Sequence, residues 1–490
     1  MSALSMPREL VKRRTGRALA CTLLVAVLVT RPALAQPFDT PPPPAAPRPL
    51  ALAAPQEQTL PNGLRVVVAE RRGVPLATAQ LLVLSGAEAD PPALPGLAAL
   101  SAGLLARGSR TRSAPAQAAA AEALGGTLDS SADWHRSTVQ MTVTTPRLGA
   151  ALALIADAAL QPTFANAELQ RLRAENLDEL KVRYASPGTQ AALAAQQAVF
   201  GSGAYGRPVR GTPASVQAIT LGDVLALHRR HFRPDNAVLV LAGDIGLDDA
   251  VTLARRHFGH WKAPAQPLAA PAAVAGTPAK DRLTLVDMGS AAGQASVAVA
   301  LAQPARGAAD NAEGAVTNTV LGQGYSSRIN QEVRIKRGLS YAAFSNFDTR
   351  RSGGLLLASA QTKNESAPEV LQLLHAQIDS LLQAPVPEAE LAARKATLIG
   401  NLSRSVETTA GLAGQVSALV TAGLPPDALR GRIAALSAVD AAAVQRYARQ
   451  HFGAEQRRAV VAGDTAQFEA ALRAAEPGLV KVAPLGAAAP

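Results

Sequence analysis

Two stretches of this chain, 220 positions apart, follow one plan, and that repetition limits the folds open to it more than any other feature. His231-Phe232 leads into Asn236-Ala237-Val238-Leu239-Val240-Leu241-Ala242-Gly243-Asp244, and His451-Phe452 leads into Arg458-Ala459-Val460-Val461-Ala462-Gly463-Asp464; the interval from Phe to Asp is 12 residues both times. Each copy reads as a helix feeding an apolar strand, because helical spacing gives way to a continuous apolar run that a Gly-Asp turn closes. Thr220 to Asp223 and Ser437 to Asp440 have the spacing of a capping box and predict where the two helices begin. A chain that repeats itself in this way is expected to fold as two like domains.

Earlier in each half come further strand candidates, Arg65 to Ala69 and Ala79 to Leu84 in the first, Leu283 to Val286 and Ala295 to Leu301 in the second, each followed by amphipathic helical segments. No Gly-rich phosphate loop follows the first strand, so the order predicts an α+β class of mixed, mainly antiparallel sheets packed with helices rather than a nucleotide-binding sheet. Only 3% of the residues are aromatic, which leaves few platforms for stacking nucleic-acid bases.

The first residues predict export. Lys12, Arg13, Arg14 and Arg17 precede an apolar run from Ala18 to Thr30, and Ala33-Leu34-Ala35 precedes Gln36, the pattern of a secretory signal peptide over residues 1–35. At 13 residues the run falls short of the roughly 20 that span a bilayer. Sec export is the default, with Arg13-Arg14 as the only hint of the twin-arginine route. Cys21 lies within the signal, so the mature chain is expected to have no thiol and no disulfide. Of the 48 basic and 37 acidic residues, six and one lie in the signal, leaving 42 against 36 and a dispersed net charge of +6, unlike a nucleic-acid face. A periplasmic protein without a membrane span after signal cleavage is the expectation. Residues 36–55 read as a Pro- and Ala-rich leader, 56–262 as the first domain, 263–279 as a linker, 280–480 as the second domain and 481–490 as a tail.

Several short segments, in order, resemble the pitrilysin/insulinase zinc peptidase family, and in particular its two-domain bacterial subunits and the mitochondrial processing peptidase subunits. In the first half these are Leu60-Pro61-Asn62-Gly63-Leu64, Leu124-Gly125-Gly126, Gln161-Pro162-Thr163-Phe164 and Gly211-Thr212-Pro213 with Ser215-Val216; in the second, Gly324-Tyr325-Ser326-Ser327-Arg328 and Arg334 through Tyr341. The resemblance implies two homologous domains facing each other like a clam shell, with subunits pairing so that four domains enclose a peptide chamber. In active members the first domain carries HxxEH, whose two histidines, one helical turn apart, bind zinc while the glutamate polarises water.

Here the corresponding positions are Ala99, Leu100, Ser101, Ala102 and Gly103, which supply neither ligand nor base, and there is no HExxH elsewhere. The resemblance makes Glu179, 76 residues beyond Gly103, the relic of the third ligand; by itself it reads as a surface carboxylate pairing with Lys181 or Arg183. His228 with His231 and His257 with His260 have helical spacing but no nearby carboxylate or cysteine at ligand spacing, and read as packing or surface residues. No metal is therefore expected in this chain.

What remains is Arg334-Ile335-Lys336-Arg337-Gly338-Leu339-Ser340-Tyr341. A helix from about Ser327 should end at Gly338 and a strand begin near Tyr341, bringing Arg334 and Tyr341 to one corner. The resemblance implies that this Arg and Tyr reach substrate across the chamber, the phenol donating to the oxyanion and the guanidinium holding a carbonyl, with Gly324, Tyr325 and Ser326 as substrate-binding residues. The basic residues also suit the negative end of a helix dipole without any catalytic duty. Gly322 and Gly324 suit either a substrate gate or a plain turn. The leading expectation is the non-metal-binding subunit of a peptidase whose HxxEH partner subunit carries the zinc, binding peptide as an added strand. The alternatives are an inert scaffold and a peptide-binding homodimer.

Overall fold

The computed structural model describes residues 52–268 and 276–485. The expected signal segment, most of the leader, the middle of the linker and the last tail residues lie outside them.

The first half runs β1 (Gln56–Thr59), β2 (Arg65–Glu70), β3 (Leu76–Val83), α1 (Leu97–Leu105), α2 (Ala114–Ala123), β4 (Asp129–Ala132), β5 (Ser137–Thr144), α3 (Leu148–Leu160), α4 (Asn166–Tyr184), α5 (Pro187–Phe200), α6 (Pro213–Ala218), α7 (Leu221–His231), β6 (Ala237–Gly243) and α8 (Leu247–Phe258). Then come β7 (Leu283–Asp287), β8 (Ala295–Gln303), α9 (Asn311–Gly322), α10 (Arg328–Asn330), which continues as a π turn over Gln331–Ile335, β9 (Ala343–Arg350), β10 (Gly353–Thr362), α11 (Ala367–Gln383), α12 (Glu388–Ser405), α13 (Thr409–Thr421), α14 (Ala428–Ala438), α15 (Ala441–His451), β11 (Arg457–Gly463), α16 (Glu469–Ala475) and β12 (Val480–Val482). The first sheet is ordered β1-β2-β6-β3-β5-β4 and the second β12-β7-β11-β8-β10-β9. Corresponding strands hold corresponding places, with β2 parallel to β6 and β7 parallel to β11, and the neighbouring central pairs antiparallel. The chain is thus two copies of one α+β unit, as the repeat requires.

The central strands are apolar on both faces, so each sheet needs two covers. One face of the first sheet, with Val66, Leu81, Leu239 and Leu241, packs on the helices of its own half. The opposite face, with Val67, Leu82, Val238 and Val240, packs on Leu412, Val416 and Val420 of α13, from the other half. The exchange is reciprocal, because Ala191, Ala195, Val199 and Phe200 of α5 cover Ala298, Ala300, Val460 and Ala462 of the second sheet. Pulling the halves apart would expose these side chains at about 1.5–3 kcal/mol for each large one, so the two domains form one folding unit.

Local signals account for some of the boundaries. Thr220 caps α7 in the expected box with Asp223. Ser437 does not cap its counterpart, since α14 runs to Ala438 and Asp440 caps α15 by accepting a hydrogen bond from the Ala443 N–H (2.7 Å). Aligned on the terminal histidine of each 11-residue helix, Asp440 is the true equivalent of Thr220. The segment expected as a tail begins inside β12, which adds a parallel strand beside β7, and the Leu485 N–H donates to Gln190.

Candidate functional site

The positions that the resemblance matches to the zinc motif lie on α1, and its N-terminus is held by Asp90, whose carboxylate accepts from the N–H groups of Gly96 and Ala98 (both 2.8 Å). Burial pushes the Asp90 carboxyl up to about 7, against those N–H groups and Arg207, which favour the anion. Ala99 and Gly103 face a cleft of about 500 Å³ with Glu179, Arg183 and Arg210 on its walls. Ser101, the only motif position with a side-chain oxygen, is buried away from that cleft.

Zinc does not fit here. Methyl and hydrogen stand where two imidazoles would be needed, and the remaining carboxylate is already engaged, with both oxygens of Glu179 lying 2.7 Å from the Arg210 guanidinium. Arg210, distant in sequence, is its principal partner; Arg183 stands at 3.9 Å, and Lys181 makes no such contact. The guanidinium thus balances the Glu179 charge. Among the described residues no three His, Cys, Asp or Glu side chains gather as a metal site. His228 instead stacks on Phe232 (4.5 Å between centroids) and bonds the Ala159 carbonyl, and burial lowers its pKa. Burial also pushes His231 down to about 4, with Arg230 adding to the shift. Restoring Ala99→His, Ala102→Glu and Gly103→His is therefore expected to give only weak zinc binding by titration calorimetry until Arg210→Ala is added to free Glu179. A Cβ at Gly103 would lie 2.9 Å from Leu172 Cδ2, a contact that side chain can relieve by a small shift. Tight zinc binding by the triple variant alone would refute this account.

The second candidate group does assemble. The π turn carries Arg334, and Gly338, at φ 65°, ends the helix in a conformation that costs a residue with a Cβ. Tyr341 precedes β9, which starts at Ala343, two residues later than the expected strand. The Arg334 guanidinium lies 5.0 Å from the Tyr341 ring centroid and 5.3 Å from that of Tyr325. Both rings are open to solvent, at 88% and 65% exposure. The dipole reading would treat the three cations alike, but they differ: Lys336 and Arg337 both pair with Glu332, whereas Arg334 has no carboxylate partner among the described residues.

The glycine loop before this corner is a pinned turn. The Asn330 amide donates to the Tyr325 carbonyl (2.5 Å) and Arg394 to the Ser326 carbonyl (2.6 Å). Gly322 is the last residue of α9, where a Cβ would come within 2.3 Å of the Ser345 backbone nitrogen, so its role is close packing. Gly324 and Ser326 are exposed beside Tyr325. Neither Arg334 nor Tyr341 lines the Glu179 cleft; the second domain contributes Asp348 and Arg350 to it instead.

Around those two residues lies a network that sequence spacing did not reveal. Glu88 bonds His135 Nδ1 (2.6 Å) and pairs with Arg351, Tyr205 bonds His135 Nε2 (2.9 Å), and the Ser352 N–H donates to Tyr205 (3.3 Å). The Arg350 guanidinium stacks on Trp134, Tyr205 and Phe200 at 4.3, 4.9 and 5.1 Å. The hairpin between β9 and β10 is thereby bolted into the first half.

Two like α+β domains, each with helices laid over a six-stranded sheet, meet at the Glu179 cleft. The chain belongs to the insulinase family, peptidase family M16: residues 65–212 match the insulinase (peptidase family M16) domain and 218–398 the peptidase M16 inactive domain. It is 32% identical over 363 residues to an uncharacterized zinc protease of Mycobacterium tuberculosis, covering 73% of this chain and 82% of that one. A similar protein of Mycobacterium leprae is 30% identical over 353 residues, covering 71% and 78%. A solved peptidase M16 inactive domain from Pseudomonas fluorescens superposes with a TM-score of 0.76 at 26% identity, covering 84% of this chain and 98% of that one. A Helicobacter pylori protease shares the fold, with a TM-score of 0.79 at 20% identity over 83% and 99%. Among the described residues no helix is long and apolar enough to cross a membrane.

Proposed function

We propose that this chain is the metal-free subunit of a periplasmic two-subunit peptidase, lending substrate-binding and transition-state groups to a zinc-bearing homologue with HxxEH. The observation that carries the reading is Arg334, free of any carboxylate among the described residues and held between the exposed rings of Tyr341 and Tyr325. A phenol so placed can donate to the oxyanion that develops on a scissile carbonyl, and the guanidinium beside it can hold a neighbouring carbonyl in place. The hydrolytic chemistry belongs to the partner, because Ala99, Ala102 and Gly103 supply no ligand and no base. Strand β4 is the open edge of the first sheet and borders the Glu179 cleft, which suits a peptide added as a further strand.

The test is reconstitution. The purified chain alone is expected to cleave nothing, whereas mixing it with an HxxEH homologue from the same cells should yield a complex by gel filtration and cleavage of a quenched-fluorescent peptide. Mixing that gives neither complex nor added turnover would refute the reading.

A further inference from the structure

Arg306, in the loop after β8, and Arg432, on α14, face one another across the space between α9, α12 and α14, and neither side chain has a hydrogen-bond or ion-pair partner among the described residues. Both are half-buried, and burial lowers both pKa values, with Arg136 adding to the effect on Arg306 and Arg306 to that on Arg432. The nearby acids are committed elsewhere: Asp348 pairs with Arg350 (2.8 Å) and Asp310 with His451 (2.8 Å). Asp348 offsets part of the cost at Arg306, but neither guanidinium has an ion-pair contact of its own, so both remain available to an anion that enters the space between them.

The surroundings indicate what kind of anion. Arg306, Asn311 and Arg432 line two adjoining clefts, one of about 390 Å³ walled by Leu419, Leu424 and Leu429, the other of about 550 Å³ along β9. Asn311 lines both clefts, and its side-chain amide makes no hydrogen bond among the described residues, so it is available to a ligand there. Strand β9 is the open edge of the second sheet, and Asn346 and Gln323 add amides along it. A bare inorganic ion would use the arginines but not the leucine wall or the row of amides; an extended peptide uses all three.

We propose that Arg306 and Arg432 form a binding site for a peptide carboxylate, from a chain terminus or an acidic side chain, with the rest of the peptide lying along β9. This rests on the peptide-binding reading above, but it concerns clefts other than the Glu179 cleft, which they adjoin through β9, and it needs no partner subunit. The bidentate geometry of guanidinium and carboxylate supplies the selectivity.

Titration calorimetry on the chain alone tests it with three acetylated tetrapeptides of one apolar sequence: the free acid, its carboxamide, and a carboxamide with one internal glutamate. At least one of the two carboxylate peptides should bind about tenfold or more tightly than the neutral carboxamide, and the better one identifies the source. Arg306→Gln and Arg432→Gln should each erase that preference while leaving the neutral peptide unchanged. Removing an unpaired cation should not lower the melting temperature, and Arg432→Met provides a second variant for the same comparison. Equal binding of all three peptides, a preference that survives the double Gln variant, or binding of inorganic phosphate with no peptide preference would each overturn the proposal. None of these outcomes depends on the reconstituted peptidase, so failure here leaves the reconstitution result standing, and the converse holds.

Discussion

Tyr341→Phe, assembled with a zinc-bearing partner, is expected to lower kcat about 10²- to 10³-fold with little change in KM, the loss typical of one oxyanion donor. The ring stays, so its 5.0 Å stacking with Arg334 stays, and only the hydroxyl disappears. Arg334→Ala should reduce kcat as well and also raise KM, because the guanidinium both braces the two rings and holds substrate. Steady-state kinetics of the mixed complex separate these effects, and gel filtration confirms that assembly is intact. A Tyr341→Phe complex as fast as the native one would favour an inert scaffold, for which neither residue matters.

The second large effect concerns stability. Arg351→Leu removes one partner of Glu88, whose side chain is 2% exposed, and breaking such a buried pair costs about 3 kcal/mol. Arg351 itself is 25% exposed, which places the expected loss at the lower end of the usual range. His135 still bonds Glu88, but its other nitrogen is taken by Tyr205, so it is not free to replace the lost cation's geometry. In a Glu88→Gln background the same substitution should cost about 1 kcal/mol, since no buried charge is left unpaired. Urea denaturation of the four proteins of this cycle measures the difference; equal costs in both backgrounds would mean that the pair contributes no coupling. Because Glu88 and His135 belong to the first half and Arg351 to the second, the loss would be of the bolt between domains.

Much of the fold was legible. The repeat around His231 and His451 announced two like units, and Thr220 with Asp223 marked the start of α7 because a capping box is made within four consecutive residues. Gly338 ended its helix as expected, since a left-handed cap is also a local requirement. Ser437 failed because two helices, α14 and α15, meet there with only Val439 and Asp440 between them, and several residues offer the right spacing. The candidate site was legible in part. The seven-residue interval from Arg334 to Tyr341 indicated a shared corner, but that Tyr325 joins them, and that Glu332 occupies both other cations, depends on how the chain turns through the π segment.

What the sequence settles on its own is whatever depends on atoms present or absent at a position: the side chains of Ala99 and Gly103 cannot ligate zinc in any conformation, and a two-fold repeat with apolar strands needs two sheets with covered faces. What only the tertiary structure decided is which distant groups meet. Arg210 pairs with Glu179 from 31 positions away, α5 and α13 exchange sheets, and Arg306 and Arg432 line the same clefts. The physical reason is that caps, turns and amphipathic faces are set by a few neighbouring residues, whereas charge pairing and burial are set by the whole packed chain, in which any residue can become a neighbour of any other.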